Sequence, residues 1–208
     1  VVSFETINRL FCHSAKQHTG SLKSFEGKLA VMALLAKDGK LPFSQREAEN
    51  YISEYKAKGF PMVSHSPWYR EQYQPAYRIV RQEFLDFLPL YAVIEENLDH
   101  SFTIAIEGGS ASGKTTLAKC LALLYDCNVF HADDFFLRDF QRTPERLAEA
   151  GGNIDYERLE QEVIQGLLSG EPFSYRRYDC QTGEMSAPFS VTPKKLNIVE
   201  GVYSTHPN

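Results

Sequence analysis

The apolar positions of this 208-residue chain change period near residue 100. Before it, Phe25, Leu29, Met32 and Leu35 or Ala36 recur at helical spacing, and Asp38-Gly39 supplies a stop. Ser44-Gln45-Arg46-Glu47 reads as a capping box opening a helix with Tyr51, Ile52 and Tyr55 on one face, which Gly59 and Pro61 end. A third helix is expected from about Pro75 to beyond Glu83, burying Tyr77, Val80, Phe84 and Phe87, with Pro89 kinking or breaking it. Asn97 to Ser101 reads as the boundary. Beyond it the pattern becomes strand, loop and helix. Phe102 to Ile106 is a β-leaning apolar run, and Leu117, Ala118, Leu121 and Leu124 form an amphipathic helical run. A second strand covers Cys127 to His131, and a helix runs from about Asp155 to Leu168 with Tyr156, Leu159, Val163 and Leu167 on one face. A short strand-like piece spans Phe173 to Tyr178, and the last strand is Leu196 to Val199.

Strands alternating with helices, written as near-continuous apolar runs, predict an α/β fold with a parallel sheet covered on both faces. The expected organisation is a helical N-terminal region of unassigned role over 1–100, then an α/β domain over 101–208. The chain starts at Val1 rather than Met and stops at Asn208 soon after a core strand, so this domain is expected to be incomplete at its C-terminus.

Between the first strand and its helix lies Gly108-Gly109-Ser110-Ala111-Ser112-Gly113-Lys114-Thr115-Thr116, which satisfies the phosphate-loop pattern G-x-x-x-x-G-K-[ST]. Glycines at both ends allow successive N–H groups to point inward at phosphate oxygens. The helix after the loop adds its positive N-terminal end. Lys114 is placed to reach the β/γ-phosphates and the Thr115 hydroxyl to ligate Mg²⁺. The region is thereby a three-layer P-loop NTPase fold by expectation, and the loop predicts a nucleoside triphosphate site. Ligands of such sheets bind beyond the carboxyl ends of the strands, so Gly108, Asp133 and Glu200 should converge. In His131-Ala132-Asp133-Asp134-Phe135-Phe136 an aspartate can accept a proton from an attacking hydroxyl, or simply cap the next turn. Glu200 suits a water-mediated Mg²⁺ ligand, or an ordinary turn.

Composition narrows the partners. A net charge of −5 supplies no basic field, which argues against nucleic acid. No apolar run reaches the roughly 18 residues of a membrane span, and no signal peptide is visible. Cys12, Cys120, Cys127 and Cys180 show no paired spacing, and reduced thiols in a cytoplasm are the simplest account.

The phosphate loop, Asp133-Asp134-Phe135-Phe136, Tyr178-Asp179 and Val199-Glu200-Gly201 occur in the order seen in uridine kinases, nicotinamide riboside kinases, pantothenate kinases and phosphoribulokinases. Over about residues 102–205 the chain resembles this family of P-loop small-molecule kinases. The resemblance implies MgATP-dependent phosphorylation of a small-molecule hydroxyl, with a nucleoside-like acceptor. It makes Asp133 the catalytic base. Asn153-Ile154-Asp155 resembles the Asn-Phe-Asp run of uridine kinases, implying that Asp155 holds ribose hydroxyls. Arg176-Arg177-Tyr178-Asp179-Cys180-Gln181-Thr182-Gly183 resembles the substrate-side hairpin, implying that Tyr178 lines the acceptor pocket.

Departures matter as well. Cys180 stands where uridine kinases carry an aromatic residue, and Gly183 where they carry the histidine that reads the pyrimidine. Arg176 or Arg177 could instead meet an anionic substrate group, or form a solvated strand edge. The family's arginine-bearing lid and adenine loop would lie beyond Asn208. Two other readings use the same loop: an NTP-hydrolysing switch, and a nucleotide-sensing module without catalysis. The first would need a guanine-reading N-K-x-D or an aspartate-ended metal strand, and the chain has neither. A binding module has no use for a base at Asp133. In the N-terminal region His65-Ser66-Pro67-Trp68-Tyr69-Arg70 and Tyr73 to Arg78 form an aromatic and arginine patch, read as a packing surface or as a partner surface.

Overall fold

A computed structural model describes residues 1–17 and 20–205, so the last three residues of the expected α/β domain lie outside the described ones. Val1–Leu10 and the chain from Gln82 onward form one compact unit, and Phe11–Arg81 a second. The helix Leu88–Glu96 therefore belongs with the sheet, although the period change in the sequence falls after it.

The strands in chain order are β1 (Phe102–Glu107), β2 (Cys127–His131), β3 (Phe173–Tyr175), β4 (Tyr178–Asp179), β5 (Glu184–Met185), β6 (Phe189–Val191) and β7 (Leu196–Gly201). The main sheet is built from β1, β2 and β7, all parallel, with β7 in the middle. All six residues of β7 are buried, including the polar Asn197 and Glu200, as a central parallel strand covered on both faces requires. Asn197 is satisfied within the sheet: its Oδ1 accepts from Asn128 Nδ2 at 3.0 Å, and its own Nδ2 donates to Lys194 O at 2.8 Å. The helix Lys114–Leu124 buries Ala118, Leu121 and Leu124 and packs on β1, β2 and β7. Elsewhere Phe130 and Val199 gather a second cluster with Phe135, Ile154, Leu159, Val163 and Tyr175.

That second cluster takes its helix from Tyr156–Leu159, which passes through a π-helical stretch, Glu160–Ile164, into Gln165–Ser169. The single helix expected from periodicity is thus interrupted. The strand-like piece Phe173–Tyr178 is also divided. β3 pairs antiparallel with β6, while β4 pairs with β5 as a hairpin. The break falls at Arg176-Arg177, whose main-chain N–H groups are taken by side chains: Glu162 Oε2 accepts from Arg176 N and Ser186 Oγ from Arg177 N, while Arg177 O accepts from Ser186 N at 2.8 Å.

One expectation is corrected. Pro75 to Arg81 is not helical, and Tyr77 is 60% exposed rather than buried. A proline disfavours the α conformation in the residue before it, and Gln74 sits in the left-handed region at φ 40°. The next helices are Gln82–Leu85 and Leu88–Glu96; Phe84 is buried as expected, and Phe87 half-buried. Pro89 lies in the first turn of the second, where its fixed φ suits helix initiation.

The second unit contains the helices Leu22–Lys37 and Gln45–Ala57. The Ser44–Glu47 capping box is formed, with Ser44 Oγ accepting from Glu47 N and Glu47 Oε2 from Ser44 N at 2.7 Å. Phe25, Tyr55 and Phe60 meet edge to face with centroids 5.3–6.3 Å apart. In the aromatic patch His65 stacks on Tyr69 and Tyr69 lies tilted against Tyr73, each at 4.7 Å, while Trp68 and Tyr73 stay 61% and 62% exposed.

Candidate functional site

The loop after β1 opens into the helix Lys114–Leu124 with Gly113 as N-cap at φ 92°. Gly113 brings no capping side chain, and no acidic residue occupies the first turn. The first N–H groups and the positive end of the dipole are therefore left for an external anion. At Gly108 a Cβ would crowd Ser112 Oγ at 2.7 Å, so the glycine lets that hydroxyl lie against the loop. Gly109, Ser110, Ala111 and Ser112 are exposed along the loop, as are Thr115 and Thr116 at its helical end. The Lys114 ammonium folds back over the loop and donates to Gly109 O at 2.8 Å.

Sheet register brings the other groups alongside. Glu107 pairs with Gly201, and Glu200 lies between Ile106 and His131. Glu200, 5% exposed, accepts at Oε1 from Thr115 Oγ1 (2.8 Å) and from His131 Nδ1 (2.6 Å). One carboxylate thus ties the phosphate loop to the end of β2. Gly201 makes room for the turn at the end of β2, since a Cβ on it would meet Ala132 Cβ at 2.4 Å. That 3₁₀ turn, Ala132–Phe135, consequently sits hard against the end of β7, with Asp133 exposed and Asp134 half-buried. The strand ends carrying Gly108, Asp133 and Glu200 do converge.

Nothing in this set forms a protein cage for a cation; among the described residues no group of three or more His, Cys, Asp or Glu is poised to hold a metal. Mg²⁺ at nucleotide sites is ordinarily held by one or two protein oxygens together with phosphates and water. The Thr115 hydroxyl beside a buried Glu200 carboxylate fits that mode.

Next to Asp133 opens a cleft of about 760 Å³. Asp133, Asp134 and Phe136 line one wall, and Arg177, Tyr178 and Cys180 are on the other. The second wall is the β4–β5 hairpin, whose turn is closed by Gly183 N donating to Asp179 O at 2.7 Å. A Cβ on Gly183 would lie 4.0 Å from the Tyr178 hydroxyl, so the absent side chain leaves space over that group. Arg177 lies over the Phe189 ring at 4.3 Å, reaches the Tyr175 hydroxyl at 3.0 Å and pairs with Asp134 Oδ2 at 3.2 Å. Burial pushes the Asp134 carboxyl up, and the charges of Arg177 and His131 oppose that.

Two residues named from sequence face elsewhere. Arg176 does not line the cleft; its Nη2 pairs with Glu162 Oε1 at 2.9 Å, and Arg177 is the arginine that faces inward. Asp155 is 3% exposed and also absent from the cleft wall. It caps the helix Tyr156–Leu159 by accepting from Arg158 N at 3.1 Å, and its second oxygen accepts from Gln141 Nε2 at 2.9 Å. Sequence reading assigned no role to Arg158, which is 7% exposed, or to Glu162. The available signal was an i,i+4 Arg–Glu pair next to the apolar stripe of Leu159 and Val163, where solvated residues are not expected.

Residues 110–173 match the family model of shikimate kinases. No curated protein matches the chain. Among solved structures, a possible uridine kinase from Bacillus stearothermophilus is 22% identical, with a TM-score of 0.45 over 55% of this chain and 74% of that one. A candidate fructose transport system kinase from Silicibacter sp. TM1040 is 27% identical, with a TM-score of 0.46 over 55% of this chain and 62% of that one. The family match runs from Ser110, inside the phosphate loop, through the 3₁₀ turn and the helix with the π-helical stretch to Phe173. It covers the elements that carry the kinase resemblance in the sequence, apart from the hairpin and β7. No helix among the described residues is long and apolar enough to cross a membrane.

Proposed function

We propose that the protein is an ATP-dependent kinase that transfers the γ-phosphoryl group to a hydroxyl of a small metabolite, a nucleoside-like molecule being the leading acceptor. The observation that carries this reading is the adjacency of three things: an anion-ready phosphate loop, the Thr115–Glu200–His131 linkage, and a cleft with Asp133 on its wall. A nucleotide-binding module needs only the first.

In this reading residues Gly108 to Thr116 hold the triphosphate through main-chain N–H groups, and the Lys114 ammonium exchanges Gly109 O for β/γ-phosphate oxygens. Thr115 Oγ1 and Glu200 are the protein oxygens that would hold Mg²⁺, which supplies neutralising charge on the β- and γ-phosphates when bound. Asp133 accepts the acceptor's hydroxyl proton as its oxygen attacks phosphorus. Arg177 and Tyr178 orient the acceptor from the opposite wall. Asp155 supports the acceptor side through the helix it caps, since both its oxygens are engaged in the fold. The space over Tyr178 left by Gly183 supports an acceptor read by something other than a histidine on a pyrimidine.

The test is ADP release with MgATP and a panel of nucleosides, ribosides, pantothenate, shikimate and sugars. Release should depend on one acceptor class, and Asp133→Ala should lower kcat by about 10²–10⁴-fold while sparing ATP binding. Tight ATP binding with no acceptor-dependent release would move the reading to a nucleotide-sensing module.

A further inference from the structure

The two walls of the cleft come from segments more than 40 residues apart in sequence, Ala132–Phe135 and Arg176–Met185, and they share no strand pairing. One buried side chain reaches both. Arg158 Nη2 donates to Asp134 O at 2.9 Å, and its guanidinium lies over the Phe135 ring at 4.3 Å. The other arm, Nη1, donates to Arg176 O at 2.7 Å. The carbonyls it grips belong to the residue after Asp133 and the residue before Arg177. Its Nε faces Asp155 Oδ2 at 3.6 Å, and Glu162 Oε2 lies 3.8 Å from Nη1. Glu162 in turn holds both the main-chain N–H and the guanidinium of Arg176. Two cations and two carboxylates therefore balance around a planar fork. A guanidinium suits this task because it offers several donors in one rigid plane, whereas an ammonium is a point charge.

We infer that Arg158 is a positioning residue for the phosphoryl transfer, fixing the Asp133 turn and the acceptor hairpin at one separation without touching either substrate. The catalytic half of this inference rests on the kinase reading; the mechanical half does not. An ordinary buried ion pair would stabilise the whole unit. A bridge between walls acts on the walls alone, and on the acceptor rather than the nucleotide.

The experiment uses the full chain with Arg158→Lys and Arg158→Gln, reading amide hydrogen exchange without ligand and steady-state kinetics with MgATP and the acceptor found in the release screen. Lysine keeps the charge but reaches one carbonyl at best, so it should rescue in part. Exchange should accelerate by about tenfold or more over 132–136 and 176–186, while amides 117–124 keep their protection. The acceptor KM should rise by about tenfold, with a fall in kcat and an ATP KM changed by no more than about twofold. Uniform loosening that includes 117–124, an equal shift in the ATP KM, or unaltered exchange at both walls would each overturn the bridge. Should no acceptor support turnover in the unsubstituted protein, the kinase reading falls, and the exchange pattern alone still decides whether the bridge exists.

Discussion

In the proposed reading, the phosphate end and the acceptor end of this site are built in opposite ways. The phosphate end is nine consecutive residues, Gly108 to Thr116, six between a strand and a helix and three in the helix's first turn, tied to β7 by Glu200 on Thr115. The acceptor end gathers a 3₁₀ turn, a hairpin and an interrupted helix, and holds them through side chains on carbonyls. A contiguous cradle needs only local backbone geometry, so it can be recognised from a pattern of residue types. An assembled cleft depends on which side chains fill the gaps between segments, so its shape and charge can change while the sheet stays the same.

If that division is real, substitutions at the two ends should separate cleanly. Lys114→Ala should have the broadest effect, lowering kcat/KM by about 10²–10³-fold with nucleotide affinity lost as well, because a charge aimed at the developing phosphate charge is removed. Isothermal titration with ATP and steady-state kinetics read the two components. Undiminished ATP affinity would show that the loop does not depend on its lysine and would break the comparison at its stronger end.

The hairpin side of the cleft, opposite Asp133, should respond more mildly and more selectively. Arg177→Ala removes a guanidinium that faces the cleft, and it should raise the acceptor KM by about tenfold with the ATP KM unchanged. Arg176→Ala removes one that pairs with Glu162 away from the cleft, and it should leave the acceptor KM within about twofold. Equal effects would mean that the wall acts as a single unit and that the orientation of the two arginines carries no specificity.

The same contrast explains what was legible in the sequence. β2 spans Cys127–His131 as its apolar run indicates, and the phosphate loop lies between the elements its pattern requires. Both signals are local. The Ser44–Glu47 box was readable for the same reason. Pro75 was readable in principle, but the apolar spacing of Tyr77, Val80 and Phe84 mimicked a helix that the proline and the left-handed Gln74 do not support. The acceptor wall was harder. Arg176 and Arg177 are adjacent and chemically identical, and only the strand break decides which one turns inward. Asp155 was read as a ligand-binding carboxylate from its resemblance to the Asn-Phe-Asp run, whereas its bonds to Arg158 N and Gln141 Nε2 are visible only in the fold. Arg158 itself carries no motif; its role exists only where three segments meet.

The smallest effect tests whether the cleft keeps an unfavourable charge. Asp134 is half-buried, and desolvation outweighs the help of Arg177, so its carboxyl stays protonated to a higher pH in the folded protein than in the unfolded chain. A raised carboxyl pKa means the folded state binds more protons between the unfolded and folded values. Stability therefore falls as pH rises through that window, and the penalty remains constant above it. Asp134→Asn keeps the shape and removes the ionisation. Its Tm should exceed that of the unsubstituted protein at pH 7, and the two should converge as pH falls toward the ordinary aspartate value of about 3.9. Thermal melts across that range measure it. A lower Tm for Asp134→Asn at pH 7 would show instead that the Arg177 pair is a net stabiliser of the fold. The acceptor wall would then be held by its charges as firmly as the phosphate loop is held by its backbone.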